Sequence, residues 1–229
     1  MKDNRKANEP NNQYVVGQTM ADYVADRLRM DIIQKRIPAD SIITVKDISE
    51  RYNVSLMPVR DAFHTLKGER FLEVVPYKHV KVLRIDREYV SNVYDFARAI
   101  ECLLIEDLLE NGDEALYTEL ERINNRMRRL SDEEYIDPEE LTQLNTQFHT
   151  LLYSTSNNDV AKHYFTYYSD NILNALRTEY KVEQSRLKSM VEEHEALIEA
   201  ARAGDLEKLQ KSMTKHCIDA KNDFLKNDL

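Results

Sequence analysis

Glycine and proline are scarce in this chain of 229 residues, at 4 and 5. Few tight turns can be built from so little of either, so most of the chain is expected to be helical. Cysteine is rarer still. Cys102 and Cys217 lack metal-ligand spacing, and in a chain with no export signal they are expected to be reduced thiols. No apolar run approaches the roughly 20 residues needed to cross a bilayer, so no membrane partner is expected. The opening MKDNRKANEPNNQ has no apolar core; residues 1–17 read as a short disordered tail rather than a signal peptide, which makes the cytoplasm the default compartment. There is no phosphate-cradling glycine loop and no general base paired with a nucleophile. A metal-dependent helical enzyme is therefore a distant alternative.

What is present is a hydrophobic fraction of 42% and a charged fraction of 32%, the composition of a soluble globular protein, with a length that fits two domains. The net charge of −9 is unevenly spread. Residues 1–85 carry 15 Lys+Arg against 11 Asp+Glu, and the remainder carries 17 against 30. A basic front and an acidic back would present the front to phosphate, although uneven charge by itself shows no function.

The front half reads as helix, helix, turn, helix, hairpin. Met20, Val24, Leu28, Ile32 and Ile33 recur at helical spacing within 19–36, and Pro38 ends that helix. Thr44 is placed to cap a short helix, VKDISERY, with Asp47 in its first turn. After a turn at Asn53-Val54, Ser55 is placed to cap LMPVRDAFHTLKGE, whose buried stripe is Val59, Ala62, Phe63 and Leu66. Arg60, His64 and Lys67 fall on another face, a turn apart. Two β-rich pieces, 71–75 and 80–85, flank Pro76-Tyr77-Lys78-His79 and read as a hairpin. The expected fold of 18–85 is a winged helix-turn-helix, with its third helix in the major groove of double-stranded DNA. The bland alternative is a small α+β domain with no nucleic-acid role.

From 86 to 229 six helices are expected, near 87–110, 113–130, 138–155, 158–181, 184–203 and 205–226. The fold class is thus mainly α: a winged helix-turn-helix followed by an all-α bundle, the two meeting near Arg84–Arg87. Asn145 and His149 are four residues apart on one helix, among Leu141, Phe148 and Leu152. His194 interrupts the stripe of Val191, Leu197 and Ile198. His216 interrupts that of Met213, Ala220 and Phe224. A single histidine on an apolar face is usually a hydrogen-bonded core residue. Three on separate helices of one bundle suggest a ligand or metal site, and imidazoles with an oxygen donor suit Zn, Ni, Co or Mn.

Several ordered strings now carry a resemblance. Val54-Ser55-Leu56-Met57-Pro58-Val59-Arg60-Asp61-Ala62-Phe63, then Asn145-Thr146-Gln147-Phe148-His149 with Leu152 and Ser156-Asn157-Asn158, then Glu193-His194 through Gly204-Asp205, and finally His216, resemble the GntR family of bacterial transcription regulators in its FadR-type, VanR-like branch. The likeness covers nearly all of 18–225. It implies a homodimer on a short palindromic operator, an effector pocket in the bundle, and often a metal that helps bind a small carboxylate. On that basis Asn145, His149, His194 and His216 are the metal-ligand candidates. Arg98 matches an arginine at the pocket edge, able to hold a carboxylate through its fork or else to pair with Glu101. Asn171 and Asn174 are further effector candidates. Arg36, Ser55 and Arg60 match DNA-contact positions; His64, Tyr77, Lys78 and His79 are added on the DNA-facing helix and wing. Five residues in three places depart from the family pattern: Asn145 stands where Asp is usual, Leu56-Met57 where Arg-Thr is usual, and Tyr77 and His79 where the wing usually has glycine. The resemblance implies a regulator, most simply a repressor controlled by a carboxylate; a metal-sensing regulator is the alternative.

Overall fold

The computed structural model describes residues 18–75, 79–166, 171–177 and 182–226. The chain divides into two compact units, one ending at Leu83 and one beginning at Arg84. Among the described residues no helix is long and apolar enough to cross a membrane.

In the first unit, α1 (Met20–Ile33) and α2 (Val45–Tyr52) each begin with a reciprocal cap. Thr19 accepts from the Asp22 amide while Asp22 accepts from the Thr19 amide, and Thr44 and Asp47 repeat the arrangement. Each box satisfies two of the orphan amides of a helix start. Asn53 ends α2 in the left-handed region, at φ 52°, which an Asn side chain tolerates. The chain then enters α3 (Leu56–Gly68). Ser55 holds the N-cap position with extended backbone, but its side chain makes no capping bond, contrary to the sequence expectation. α1 packs on α3. Val24, Leu28 and Ile32 are buried from one, and Val59, Phe63 and Leu66 from the other.

The expected hairpin is β2 (Leu72–Val75) and β3 (His79–Val82), antiparallel, with Leu72 opposite Val82 and Val75 opposite His79. A third strand, β1 (Ile42–Ile43), joins the other edge of β3, giving the order β1-β3-β2. Two residues are too few to show an alternating pattern, so the sequence carried no periodic signal for β1.

The second unit is helical throughout its described residues: α4 (Arg87–Leu104), α5 (Leu108–Asn111), α6 (Glu114–Leu130), α7 (Pro138–Leu152), α8 (Asp159–Tyr164), α9 (Asn171–Arg177), α10 (Gln184–Arg202) and α11 (Leu206–Lys226). α10 packs on both α6 and α11, α11 on α4, and α6 on α7. Leu104, Leu120, Met127, Phe148, Leu197 and Met213 are fully buried between them. Asp86, Asp113 and Asp137 cap their helices through side-chain bonds to backbone amides. Gly204, at φ 67°, makes the break between α10 and α11 in a conformation that side chains resist.

Two of the six expected helices are interrupted. The one expected over 87–110 tightens after Leu104, where the Leu108 amide bonds Ile105 O (3.1 Å) and the Leu109 amide bonds Glu106 O (3.2 Å). The tight turn places Asp107 where its carboxylate accepts from Ser156 Oγ (3.0 Å) and the Asn157 amide (2.8 Å), tying down the loop after α7. The one expected over 158–181 stands as α8, a wider helical turn at 165–166, and α9; residues 167–170 and 178–181 lie outside the described residues.

The first unit also contains a buried ion pair. Arg29, on α1, donates two bonds to Glu69 at the end of α3, from Nε (2.8 Å) and Nη2 (2.7 Å). Glu69 is wholly buried. Burial pushes its carboxyl up from the ordinary value, and the Arg29 fork pulls it partly back. Removing one partner strands the other. Glu69→Ala is expected to destabilise the first unit by about 3–5 kcal/mol, while joint replacement of Arg29 and Glu69 by Met and Leu costs far less. Chemical denaturation of the three proteins measures this; equal losses in single and double variants would refute it.

Candidate functional site

Three imidazoles meet inside the second unit. His149 lies on α7, His194 on α10 and His216 on α11, and all three are buried. Their potential ligand atoms lie within 4.8 Å of one another. Ring centroids are separated by 5.4 Å (His149–His194), 5.2 Å (His149–His216) and 4.9 Å (His194–His216). The Phe148 ring stacks on His194 at 4.0 Å and 7° and holds its plane.

Each ring is held from behind through Nδ1. His216 Nδ1 lies 2.8 Å from Glu193 Oε2. A carboxylate only accepts, so that nitrogen carries the proton. Glu193 is in turn gripped by Arg186 through Nη1 (2.9 Å) and Nη2 (3.1 Å). His194 Nδ1 lies 3.3 Å from Asn124 Oδ1, and the Asn124 amide nitrogen donates to Val191 O (2.9 Å), which fixes the amide's orientation. His149 Nδ1 lies 3.0 Å from the Tyr153 hydroxyl, which also bonds Glu101. With the phenol proton given to Glu101, the phenol oxygen accepts from His149. Three outer partners thus select one tautomer in three rings, and Nε2 is the ligand atom each ring offers.

The electrostatics agree. Burial first, then His216 and His149, hold His194 well below the usual histidine value, so it is neutral at physiological pH. Burial, then the Glu101 charge, push the Tyr153 phenol and the Cys217 thiol well up. Cys217 stays a thiol and donates to Glu101 at 2.9 Å. His194 Nε2 is buried with no hydrogen-bond partner, and so is Asn145 Oδ1. A buried acceptor left bare costs free energy, and two of them beside one cluster suit an electrophile such as a divalent cation. Asn145 lines the same small space as His149 and His216, so α7 brings the fourth candidate to the cluster.

The effector candidates are less concentrated. Arg98 lines none of the three cavities described for this chain. Its ion-pair partner is Asp95, at 4.0 Å, rather than Glu101, whose carboxylate is turned to Cys217 and Tyr153. Its Nε is buried without a partner. Asn174 lies on α9 with Nδ2 3.4 Å from Thr146 Oγ1. The Asn171 side chain lies outside the described residues. Sequence reasoning missed the outer partners. Asn124 breaks the apolar face of α6 as the histidines break theirs, and Tyr153 follows His149 by one helical turn; both signals were readable. Arg186 and Glu193 stand seven apart on one face of α10, but nothing in the sequence marks that pair as buried.

In the first unit, Ser55, Arg60, His64 and Lys67 are exposed on α3, together with Leu56 and Met57, which are 46% and 65% exposed. Arg36 spends its Nε on Asp31 at 2.6 Å, with the rest of its fork half-exposed. Asp31 also accepts from the Tyr52 hydroxyl and pairs with Arg51. His79 is half-buried at the start of β3. Tyr77 and Lys78 lie outside the described residues.

Comparison with known proteins places both units. Residues 20–82 match the model of "Bacterial regulatory proteins, gntR family", and residues 92–219 match the FCD domain. The chain is similar to the HTH-type transcriptional repressor RspR of Escherichia coli, 29% identical over 55% of this chain and 54% of that protein, so it spans about half the length of that relative. It is also similar to the HTH-type transcriptional regulator LutR of Bacillus subtilis, 25% identical over 78% of this chain and 89% of that one. Among solved structures, Escherichia coli McbR/YncC superposes with a TM-score of 0.65 at 15% identity, covering 91% of this chain and 98% of that one, a likeness of fold alone. With a GntR unit in front and an FCD unit covering more than half its length, the chain belongs to the GntR family of transcription regulators, in the FadR-type branch.

Proposed function

We propose that this protein is a homodimeric repressor that releases a palindromic operator when a carboxylate effector enters the second unit. The observation that carries the reading is the buried three-histidine cluster, tautomer-set and bare at His194 Nε2, in a chain whose first unit exposes a basic helix face. RspR and the gluconate operon protein of Bacillus licheniformis, 23% identical over 83% of this chain, are both described as repressors.

His149, His194, His216 and Asn145 would hold a divalent ion of the Zn, Ni, Co or Mn class, which supplies positive charge to an anionic ligand. The ligand set is neutral. The nearest carboxylates are engaged from behind, Glu193 by Arg186 and His216, and Glu101 by Tyr153 and Cys217. That leaves the ion's charge for the effector. In the first unit, Arg60 suits a guanine edge or a phosphate, and the exposed Leu56 and Met57 suit thymine methyl groups. Phe96 and Leu103, seven residues apart on α4 and 40% and 48% exposed, support a second copy as the partner of that helix face.

Purified full-length protein is expected to hold about one divalent ion per chain by elemental analysis, and His149→Ala and His194→Ala to lose it. Metal at 100-fold over its Kd adds about 2.7 kcal/mol of stability. For a chain of this length that raises Tm by roughly 5–10 °C, and a chelator reverses the rise. Glu193→Gln, which leaves a neutral amide behind His216, should weaken metal binding by about 10–100-fold. A wild type with no metal affinity would end the metal reading.

Operator duplexes selected in vitro with the full chain should be palindromic. Arg60→Ala should cost about 1–3 kcal/mol by fluorescence anisotropy, concentrated at one base step if the contact is to a base and spread evenly if it is to phosphate. Operator affinity that stays unchanged under every carboxylate shown to bind the second unit would sink the coupling. Leu103→Glu should shift the mass measured by light scattering from dimer to monomer; an unchanged dimer would place the interface elsewhere.

A further inference from the structure

A cavity of about 440 Å³ opens beside the histidine cluster. Asn145 and His216 are among its lining, and both also line the small space shared with His149. The wall is largely apolar: Tyr94, Tyr135, Leu141, Met190 and Phe224 contribute to it from α4, α7, α10, α11 and the segment before α7. By comparison, a dry cavity of about 150 Å³ accepts a benzene molecule, and ligand sites commonly span roughly 300–1,000 Å³.

The charges facing this space limit what it can take. Arg186 is its cation, and that guanidinium already bonds Glu193 and lies 3.8 Å from Asp223. Glu134 and Asp223 add acidic groups to the lining. A second carboxylate placed there would meet two acids and an arginine already paired. The hydrogen-bonding groups of this lining, such as Glu134, Thr142, Gln184 and Asp223, are interspersed with the apolar side chains that make up most of its surface. An apolar body gains from the same wall.

We propose that the cavity is the body-binding part of the effector site and that the effector is an amphipathic monoacid. Its single carboxylate meets the histidine cluster, and its aromatic or branched apolar body lies between Leu141, Met190 and Phe224. Dicarboxylates are disfavoured by Glu134 and Asp223 on the same wall. This rests on the reading of the cluster as a carboxylate receiver.

Three probes separate the parts: glycolate, which is the head alone; mandelate, the same 2-hydroxy acid with a phenyl ring; and benzyl alcohol, a ring with no carboxylate. Each is titrated calorimetrically into the full-length chain with one equivalent of Zn²⁺. Mandelate is expected to bind at least about ten-fold more tightly than glycolate, since even one methylene in a hydrophobic pocket is worth roughly 10–200-fold. Met190→Trp, which fills the cavity from α10, should bring the two affinities together and leave glycolate unchanged. Thr142→Phe fills it from α7 and serves if the first variant fails to fold by circular dichroism. Equal affinities for glycolate and mandelate in the wild type overturn the inference and leave the carboxylate reading standing. Binding of benzyl alcohol alone overturns the carboxylate reading and the amphipathic acid with it. No binding by any of the three overturns both.

Discussion

Burying an imidazole in an apolar bundle costs free energy for each nitrogen left without a partner, and that cost organises the second unit. Three rings on three helices need three outer partners. Those partners come from α6 (Asn124), α10 (Glu193) and the end of α7 (Tyr153). Each outer bond also crosses a packing seam or locks a turn. Asn124 ties α6 to α10 through both His194 and the Val191 carbonyl, and Glu193 ties α10 to α11. The polar cluster is therefore part of what sets the register of the helices. Its cost is the Nε2 of His194, buried without a hydrogen-bond partner.

The first unit applies the opposite rule. Its charged core pair, Arg29 with Glu69, is bonded within the unit, and Arg29 Nη1 also bonds Asp26 at 2.6 Å. Reactive surface is kept on α3, where Arg60, His64 and Lys67 stay solvated while Val59, Phe63 and Leu66 hold the helix to α1. Arg36 lies between these cases. Asp31 anchors it through Nε, which orients the rest of the guanidinium rather than removing it from use. A side chain pre-ordered in this way loses less entropy on meeting a phosphate.

Much of this was legible in the sequence. The periodicity of 45–52 and 56–68 gave α2 and α3 nearly to the residue, and polar residues inside apolar stripes gave all three histidines. What was missed shares a cause: tertiary context. The break after Leu104 is invisible locally, because Ile105 and Leu108 continue an acceptable stripe. What accompanies it is a long-range contact, the bonding of Asp107 to a loop about fifty residues further on. β1 has only two residues, and its one buried member, Ile43, makes no pattern. Ser55 shows the converse. It has the right residue type at the right position, yet its hydroxyl makes no cap, since local preference permits a bond without requiring it. The alternative pairing of Arg98 with Glu101 is not what the structure has, because two buried proton donors, Tyr153 and Cys217, hold that carboxylate.

The replacement of an acidic ligand by Asn145 connects the two ends of the site. Where an aspartate would both bind a cation and cancel part of its charge, an amide oxygen only binds. With three neutral imidazoles beside it, a divalent ion in the cluster would keep its full charge in a low-dielectric setting, which would strengthen its pull on an anion. Metal and carboxylate would then each raise the affinity for the other, by the same factor, as linkage demands. The protein would respond weakly to the metal alone or to the acid alone, and strongly to the pair. On the proposed reading, the largely apolar wall beside Asn145 and His216 would add the selection that charge cannot make, because it would distinguish among monoacids by the body they carry.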